Sequence, residues 1–455
     1  MQNNPLASTL NKSSSRRSFL GALGLTALAI PALAACGNSS AGAFSQPATK
    51  VPAGFSGRRN VVIWSSWGGD NGKMFADLIK KFNESQTAIY AEVQQFDGYD
   101  GVGEKLTAGL RAKQIPDLAV LSDIHWNRYF LSDALEPLNK YHDSGFGPAV
   151  YTENFYKEGT VRDESYWVPF ARSTPLFYYN RDLFASVGLP DRAPDTWDEF
   201  RSWGKEITGV KFKGNTMKMR ALTGTDDWYF SGLLWAFGGS ISKGLDVTLD
   251  SAESMAAVDF ERQLVHEDKS MYLAQSFVND FSNGQCATVT QSTGGLTSVT
   301  KAAKFDVGTG FMPKGPAGAG TPTGGGGLSV MRQISDERKA DAVEVLRFLA
   351  SDEISAQWTV GTGYLPVTKG ATSSKLVTDL MGKNPNYRVA VDQLQIASGP
   401  DDVRRYVTSA ISELKQMVQK NYTSNVSPEE LVKPVAEKLR AEAEKIRSTY
   451  EEKVA

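Results

Sequence analysis

An alternation of strands and helices near the start of the chain constrains the fold more than any other feature. Val61-Val62-Ile63-Trp64 is a short apolar run typical of a buried strand, and a helix follows it. A second strand over 89–96, a helix over about 101–113 and a third strand over 117–121 come next. This order predicts an α/β fold with a parallel sheet. In such sheets, ligands bind in the loops at the carboxyl ends of the strands.

The first 36 residues predict export and membrane anchoring. Ser15-Arg16-Arg17-Ser18-Phe19-Leu20 is a twin-arginine pattern, and residues 19–35 carry no charge. The apolar stretch ends in Leu33-Ala34-Ala35-Cys36, which is typical of a lipoprotein signal. We therefore predict that residues 1–36 form a twin-arginine/lipoprotein signal ending at a lipidated Cys36. The mature protein would lie outside the cytoplasm, held to the cell membrane by its lipids.

Composition and charge exclude several classes of partner. Hydrophobic residues make up 41% of the chain and charged residues 22%, which is ordinary for a soluble globular protein. A net charge of −2 provides no general basic surface, so we do not expect nucleic acid as a partner. Of the two cysteines, Cys36 is assigned to lipid, which leaves no intramolecular disulfide. We expect Cys286 to be a small buried residue at the start of a strand.

The sequence contains no recognisable catalytic or metal-binding constellation. His125, His142 and His266 are far apart and lack the short spacing of zinc ligands, so we interpret them as structural or surface residues. There is no Gly-x-Ser-x-Gly elbow and no phosphate-binding loop ending in Gly-Lys-Ser/Thr. We therefore expect no enzyme activity, no metal and no cofactor.

The remaining parts of the chain have distinct compositions. Residues 37–60 are rich in Gly, Ser, Ala and Pro, which predicts a flexible tether between the anchor and the folded protein. The C-terminal third is predicted to be helical, with helices over 336–350, 401–420 and 428–454.

Four stretches in a fixed order carry a resemblance to a known family. They are Val168-Pro169-Phe170-Ala171-Arg172-Ser173-Thr174-Pro175 with its continuation to Trp197, Phe281-Ser282-Asn283-Gly284-Gln285-Cys286-Ala287, Gly324-Gly325-Gly326-Gly327-Leu328-Ser329-Val330, and Thr362-Gly363-Tyr364-Leu365-Pro366-Val367. Together they resemble the extracellular solute-binding proteins of ABC importers, of the maltose-binding-protein type. Within that type they are most similar to the glycerol-3-phosphate and glycerophosphodiester-binding proteins of actinobacteria.

The resemblance implies a two-lobed periplasmic-binding-protein fold of type II, with the ligand in a cleft between two α/β lobes. Three hinge crossovers are expected near 171–175, 325–329 and 365–369. The first lobe would comprise residues 61–172 plus 328–368, and the second 173–327 plus 369–455. Closure about the hinges would bury the ligand.

Carrying the family's binding positions over to this sequence implies a coherent ligand set. It consists of Tyr99, Asp100, Asp123, Ser173, Thr225, Trp228, Ser292, Gly325, Tyr364 and Arg404. Arg404 would bind phosphate oxygens with its planar fork of donors. The two serines and the Gly325 N–H would donate further hydrogen bonds, while Trp228 would stack on the carbon skeleton. Asp123 or Asp100 would face the ammonium of a choline head group. The sequence leaves open whether Ser292 or Thr293 faces the cleft.

Two departures from the enteric members bear on the ligand. Thr225 stands where those members have a second Trp, which would enlarge the cleft on that side. Asp392 stands where they are aligned with an arginine, which would remove positive charge. Both changes favour a singly charged glycerophosphodiester over a doubly charged phosphate monoester.

The predicted function is therefore that of a substrate-binding lipoprotein of an ABC importer. Its small-molecule ligands would be glycerophosphodiesters such as glycerophosphocholine, and sn-glycerol 3-phosphate is a further candidate. Its partners would be membrane permease subunits with a cytoplasmic ATPase, and it would act as a monomer. The alternatives are a binding protein for disaccharides or oligosaccharides, a binding module that feeds a sensor kinase, and an extracellular glycan-degrading enzyme with a pair of carboxylates across the cleft.

Overall fold

The computed structural model describes residues 44–224 and 227–455. The export signal, Cys36 and Thr225 lie outside the described residues. Among those described, no helix is long and apolar enough to cross a membrane.

The first of two main sheets contains the strands predicted from the start of the sequence. Its five strands, in spatial order, are Ile89–Gln95, Arg59–Ser65, Leu118–Ser122, Gly324–Val330 and Val168–Ser173. The first three are parallel, and Gly324–Val330 runs antiparallel to both of its neighbours. Val61, Val62 and Ile63 are fully buried, because helices connect parallel strands across the faces of the sheet. The α/β prediction is confirmed.

The second main sheet is also mixed. Its strands, in spatial order, are Met271–Leu273, Arg220–Leu222, Thr288–Ser292, Pro175–Asn180 and Val307–Gly310. The first three are parallel, and Pro175–Asn180 is antiparallel to the strands on both sides. Each main sheet forms the centre of one of two lobes. Cys286 is fully buried just before the strand Thr288–Ser292, as predicted.

Helices cover both sheets, and short hairpins lie at their margins. The α-helices are Gly69–Ser85, Gly98–Ala112, His125–Leu131, Glu153–Lys157, Arg181–Ser186, Trp197–Ile207, Asp227–Ala236, Ala252–His266, Phe277–Ser282, Leu296–Ala302, Asp336–Leu349, Asp352–Thr362, Lys369–Ser373, Lys375–Lys383, Pro385–Gln393, Asp402–Tyr406, Ala410–Thr423 and Pro428–Lys453. The 3₁₀ turns are Ala53–Phe55, Asn139–Tyr141, Thr293–Gly295 and Leu394–Ile396. The hairpin strands are Thr160–Val161 with Glu164–Ser165, Lys211–Phe212 with Asn215–Thr216, and Ser242–Lys243 with Asp246–Val247.

Strand pairing shows where the chain passes between the sheets. Val168–Ser173 lies in the first sheet and Pro175–Asn180 in the second, with Thr174 alone between them. Gly324 pairs with Ser173, so residues 324–327, which the sequence assigned to the second lobe, belong to the first sheet. We therefore propose to place the second crossing before Gly324.

The third passage also differs in place from the predicted one near 365–369. The helices Lys369–Ser373 and Lys375–Lys383 pack on Asp352–Thr362 of the first lobe. The next helix, Pro385–Gln393, packs on the strand Val307–Gly310 of the second sheet. We accordingly propose that the third crossing lies between these helices, close to Asn384.

Part of the predicted tether is attached to the first lobe. The Lys50 N–H donates to the Glu92 carboxylate (2.8 Å), and the Gln46 amide donates to the Asn60 carbonyl (3.0 Å). Residues 44–58 therefore do not form a free tether, and the prediction drawn from composition does not hold for them. Their small and polar side chains build no core of their own, but their backbone and amide groups bond to the edge of an existing sheet.

The C-terminal helix Pro428–Lys453 connects the two lobes. Its start is capped by the Ser427 side chain, and it packs on Ala252–His266 and Ala410–Thr423. Its last turn reaches the first lobe, where Lys453 Nζ lies 2.6 Å from an Asp133 carboxylate oxygen. The Arg162 guanidinium donates to the Glu451 carbonyl at 3.1 Å. These contacts add an attachment between the lobes beside the three crossings.

A buried carboxyl in the second lobe generates a prediction about pH. Burial raises the pKa of Glu261 to about 7, against the opposing effects of a Tyr422 hydrogen bond and the Arg220 charge. A glutamate in an unfolded chain titrates near pH 4.3. The folded protein therefore holds this proton more tightly, and the stability contributed by Glu261 is complete below about pH 4 and is lost as the pH rises through about 7.

Glu261→Gln should remove this loss, because glutamine stays neutral throughout. We expect the melting temperature of the variant, relative to the unmodified protein, to increase between pH 5 and pH 8. Thermal unfolding followed by circular dichroism measures this difference. Glu253→Gln, at an exposed position on the same helix, should show no such trend. A difference that is constant with pH would contradict the raised pKa.

Candidate functional site

A cleft of about 330 Å³ lies between the lobes. Nine of the ten ligand residues implied by the resemblance line it, and the tenth, Thr225, lies outside the described residues. The nine are Tyr99, Asp100, Asp123, Ser173, Trp228, Ser292, Gly325, Tyr364 and Arg404. Asp97, Ser122, His125, Asp227 and Lys415 also line the cleft and were not among the ten.

The buried Tyr364 and the partly buried Tyr99 form part of the first-lobe wall. Tyr99 lies at the start of the helix Gly98–Ala112, and the Trp67 indole N–H donates to its hydroxyl at 3.3 Å. Burial raises the pKa of Tyr364 to about 12 and also raises the pKa of Tyr99. Both phenols therefore keep their protons at neutral pH and can donate hydrogen bonds to a ligand.

Asp100 is held by groups from both lobes. One carboxylate oxygen lies 2.9 Å from His125 Nε2 and the other 2.9 Å from Lys415 Nζ of the second lobe. The hydrogen bond from His125, followed by the contact with Lys415, holds the pKa of Asp100 well below its usual range. The pair formed by Asp100 and Lys415 therefore bridges the cleft as an ion pair.

His125 connects this carboxylate to the first sheet. Its Nδ1 lies 2.6 Å from the Ser122 hydroxyl, at the end of the strand Leu118–Ser122. Burial lowers the pKa of His125 despite the carboxylate beside it, so the ring is neutral at pH 7. We assign the proton to Nε2, which donates to Asp100, while the Ser122 hydroxyl donates to Nδ1. The sequence signal for His125 was its position directly after a strand of the parallel sheet.

Asp123 lines the cleft and has one buried oxygen without a hydrogen-bond partner among the described residues. The residue is 7% exposed, and this oxygen is Oδ2. Arg172, which is fully buried, lies 3.7 Å away and forms its closer ion pair with Glu158. The charge of Asp123 is thus partly balanced, while its hydrogen-bonding capacity is not filled.

The hinge strands form the floor of the cleft. Gly325 has φ +94°, and a Cβ placed there would lie 1.9 Å from the Ala171 carbonyl oxygen, so only glycine fits. Ser173 and Ser292 both line the cleft, whereas Thr293 is fully buried. Of the two candidates that the sequence left open, Ser292 is the one at the cleft. Trp228 stands opposite, fixed by its indole N–H, which donates to the Thr323 carbonyl at 2.9 Å.

The principal cation of the second lobe is already paired. Arg404 Nε and Nη2 donate to the same Asp227 oxygen at 2.9 and 2.7 Å, and both side chains are 4% exposed. No described residue accepts from Arg404 Nη1. The pairing fixes the plane of the guanidinium and leaves Nη1 as its free donor group. Asp227 was missed because a lone aspartate in a helix has no distinguishing pattern.

Asp392 does not enter the cleft. It lies on the helix Pro385–Gln393, where its carboxylate is 3.1 Å from Arg388 Nε. The residues lining the cleft do not include it. The sequence argument that the loss of an arginine at this position removes positive charge from the cleft is therefore wrong, because the position does not line the cleft. Asp227, and not Asp392, reduces the positive charge beside Arg404.

A second cavity, which we call the side chamber, adjoins the cleft and has a volume of about 350 Å³. Asp100, His125, Ile411 and Lys415 line both spaces. Gly224, the residue before Thr225, lines the side chamber.

Together, these features describe a site for binding a small polar molecule. The cleft has four carboxylates, Asp97, Asp100, Asp123 and Asp227, and two cations, Arg404 and Lys415. Each of the two cations is in an ion pair. Within the described chain, no group of three or more His, Cys, Asp or Glu side chains is arranged to hold a metal ion.

Two lobes closing on a polar cleft are the architecture of a solute-binding protein. The chain belongs to the bacterial extracellular solute-binding proteins, because the sequence model of that family matches residues 77–386.

Known proteins similar in sequence to this chain include glycerol-3-phosphate-binding proteins. The sn-glycerol-3-phosphate-binding periplasmic protein UgpB of Escherichia coli K12 is 27% identical over 364 residues, which cover 73% of this chain and 80% of the relative. The protein of the same name from Salmonella typhimurium is 28% identical over the same length. These relatives are binding proteins rather than enzymes.

Solved structures show the same two-lobed fold. The crystal structure of UgpB from Mycobacterium tuberculosis in complex with glycerophosphocholine has a TM-score of 0.81 and 30% identity, and the match covers 86% of this chain and 99% of that one. The GacH receptor of Streptomyces glaucescens, at 18% identity and a TM-score of 0.75, shares the fold. The predicted family and the two-lobed α/β architecture are confirmed.

Proposed function

We propose that this protein is the substrate-binding component of an ABC importer for glycerophosphodiesters such as glycerophosphocholine. The observation that carries the proposal is the Arg404–Asp227 pair at the cleft, because it offers a donor to phosphate while contributing little net positive charge. The relatives bind glycerol 3-phosphate or glycerophosphocholine according to their names. sn-Glycerol 3-phosphate is a secondary ligand in this proposal.

The positions of the donors and acceptors suggest how a diester is held. Arg404 Nη1 binds a phosphate oxygen, and Ser173, Ser292 and the tyrosine hydroxyls donate to the remaining oxygens of the ligand. The glycerol unit lies against Trp228, and one of its hydroxyls donates to the Asp123 carboxylate. The head group extends past Asp100 towards the side chamber.

The charges of the cleft favour a diester over a monoester. A phosphodiester carries one negative charge, whereas a phosphate monoester carries close to two at neutral pH. Asp227 offsets the charge of Arg404, and Asp100 offsets that of Lys415. A second negative charge on the ligand would therefore meet no uncompensated cation in the cleft. A disaccharide binder, the main alternative, would not depend on Arg404.

The proposal extends to the partners of the protein. Solute-binding proteins of ABC importers deliver their ligands to membrane permease subunits driven by a cytoplasmic ATPase. We propose that this protein does so as a monomer anchored through lipid on Cys36. The flexible part of the tether would then lie between Cys36 and the attached segment that begins at residue 44.

Arg404→Ala should weaken the binding of glycerophosphocholine by about 2–4 kcal/mol, because a charge-assisted contact in a closed cleft is lost. Isothermal titration calorimetry measures this change. Arg388→Ala, which removes an exposed arginine of the second lobe outside the cleft, serves as the control and should bind normally. Unchanged binding by Arg404→Ala would refute the phosphate site and favour the sugar alternative.

Asp227→Asn should change the preference between ligands while keeping the shape of the pair. With one negative charge removed beside the phosphate, affinity for glycerol 3-phosphate should rise relative to glycerophosphocholine by about tenfold or more. Parallel titrations with both ligands test this ratio. Asp402→Asn removes a carboxylate from the helix that carries Arg404, but that carboxylate faces Tyr450, so this variant should leave the ratio unchanged. Equal effects of Asp227→Asn on both ligands would contradict the charge argument.

Cys36→Ser should abolish anchoring, because serine cannot carry a thioether lipid. We expect the variant to lose incorporation of labelled palmitate and to leave the membrane fraction, or to remain uncut. Fractionation of cells and immunoblotting measure both outcomes. A variant that is cleaved and membrane-bound like the unmodified protein would rule out lipidation at this cysteine.

A further inference from the structure

The side chamber contains an arginine that forms no hydrogen bond or ion pair with any described residue. Arg128 lies on the helix His125–Leu131 and lines the chamber. No described residue accepts a hydrogen bond from it or forms an ion pair with it, and its Nε is buried without a partner. Arg404 and Lys415 differ in this respect, since both are paired with carboxylates. A buried N–H group without an acceptor costs free energy that an anionic ligand would recover.

The chain makes specific room for this guanidinium. It lies over Gly103 of the neighbouring helix, where a Cβ would come within 2.2 Å of Arg128 Nη2. On the other side, Arg128 Cζ is 5.1 Å from the centre of the Tyr129 ring. Any residue larger than glycine at position 103 would shift the end of the Arg128 side chain. Arg128 therefore packs closely against Gly103 and near the Tyr129 ring.

Acidic and neutral polar groups share the chamber with Arg128. Glu104 lines it and is not in ion-pair contact with Arg128, and Asp100 lies at its junction with the cleft. Thr408, Ser412, Gln416 and Gln419 add hydroxyls and amides to the lining, and Lys415, which is paired with Asp100, lines it too. A cation and an anion that are not paired with each other, in a space lined by further polar groups, are complementary to a molecule that carries both a carboxylate and an ammonium.

We propose that the side chamber binds an amino-acid head group, as found in glycerophosphoserine, with the carboxylate on Arg128 and the ammonium facing Glu104. This inference rests on the proposed function, because it places the phosphate of the same ligand at Arg404. Four residues line both the cleft and the chamber, so the two spaces adjoin where the head group would pass. The substrate class thereby includes diesters whose head group carries an acid.

Glycerophosphoserine and glycerophosphoethanolamine test the inference, because they differ only in the carboxylate of the head group. The unmodified full chain should bind glycerophosphoserine at least as tightly as glycerophosphoethanolamine in calorimetric titrations. Arg128→Met should weaken glycerophosphoserine about tenfold, the loss expected for a charged hydrogen bond, and glycerophosphoethanolamine less than twofold. Arg128→Lys keeps the charge without the planar fork, so its affinity for glycerophosphoserine should lie between those of the unmodified protein and Arg128→Met.

Arg111→Met provides the matched control, since it removes an exposed arginine of the first lobe and should leave both affinities unchanged. The inference is overturned if Arg128→Met weakens both ligands equally or neither. It is also overturned if the unmodified protein binds glycerophosphoserine tenfold more weakly than glycerophosphoethanolamine, a result that needs no variant to fold. If the protein binds none of the three diesters, glycerophosphocholine included, the proposed function itself is refuted.

Discussion

The passage of the chain from one main sheet to the other through a single residue determines the rest of the structure. Val168–Ser173 ends in the first sheet, and Pro175–Asn180 begins in the second. Thr174, between them, is fully buried, and the Gln393 amide donates to its hydroxyl at 3.1 Å. The return strand begins at Gly324, which pairs with Ser173. Because both crossings adjoin at this point, the strand ends of the two sheets meet and their loops line one cleft.

This arrangement explains which parts of the molecule could be predicted from the sequence. The first sheet was predictable because each of its parallel strands is an apolar run followed by a helix. Nine residues that line the cleft were predicted from the resemblance, although only Ser173, Gly325 and Tyr364 lie within the four stretches that carry it. Asp227 was not predictable, because its significance comes from Arg404, which lies 177 positions away. The sequence pattern around His125 gave only a weak indication of a role at the site, because its partner Asp100 is brought next to it by the tertiary structure.

Two other differences between prediction and structure also have tertiary causes. The helix expected over 401–420 is divided, because Val407 adopts an extended conformation at the end of Asp402–Tyr406. The break allows Arg404 and Lys415, from two separate helices, to reach the same cleft. The composition of residues 44–58 predicted disorder, yet hydrogen bonds to the first lobe order them. Amino-acid composition indicates that a segment cannot form a core of its own. It does not indicate whether the segment binds to the surface of another part of the protein.

The sequence left open whether Asp123 or Asp100 is the partner of an ammonium, and the surroundings of the two carboxylates differ. Asp123 is 7% exposed, and its buried Oδ2 lies 3.7 Å from the fully buried Arg172. Asp100 has both oxygens occupied by His125 and Lys415 and lies where the cleft joins the side chamber. We therefore propose that the glycerol end of the ligand lies at Asp123 and that the head group passes Asp100 towards the side chamber.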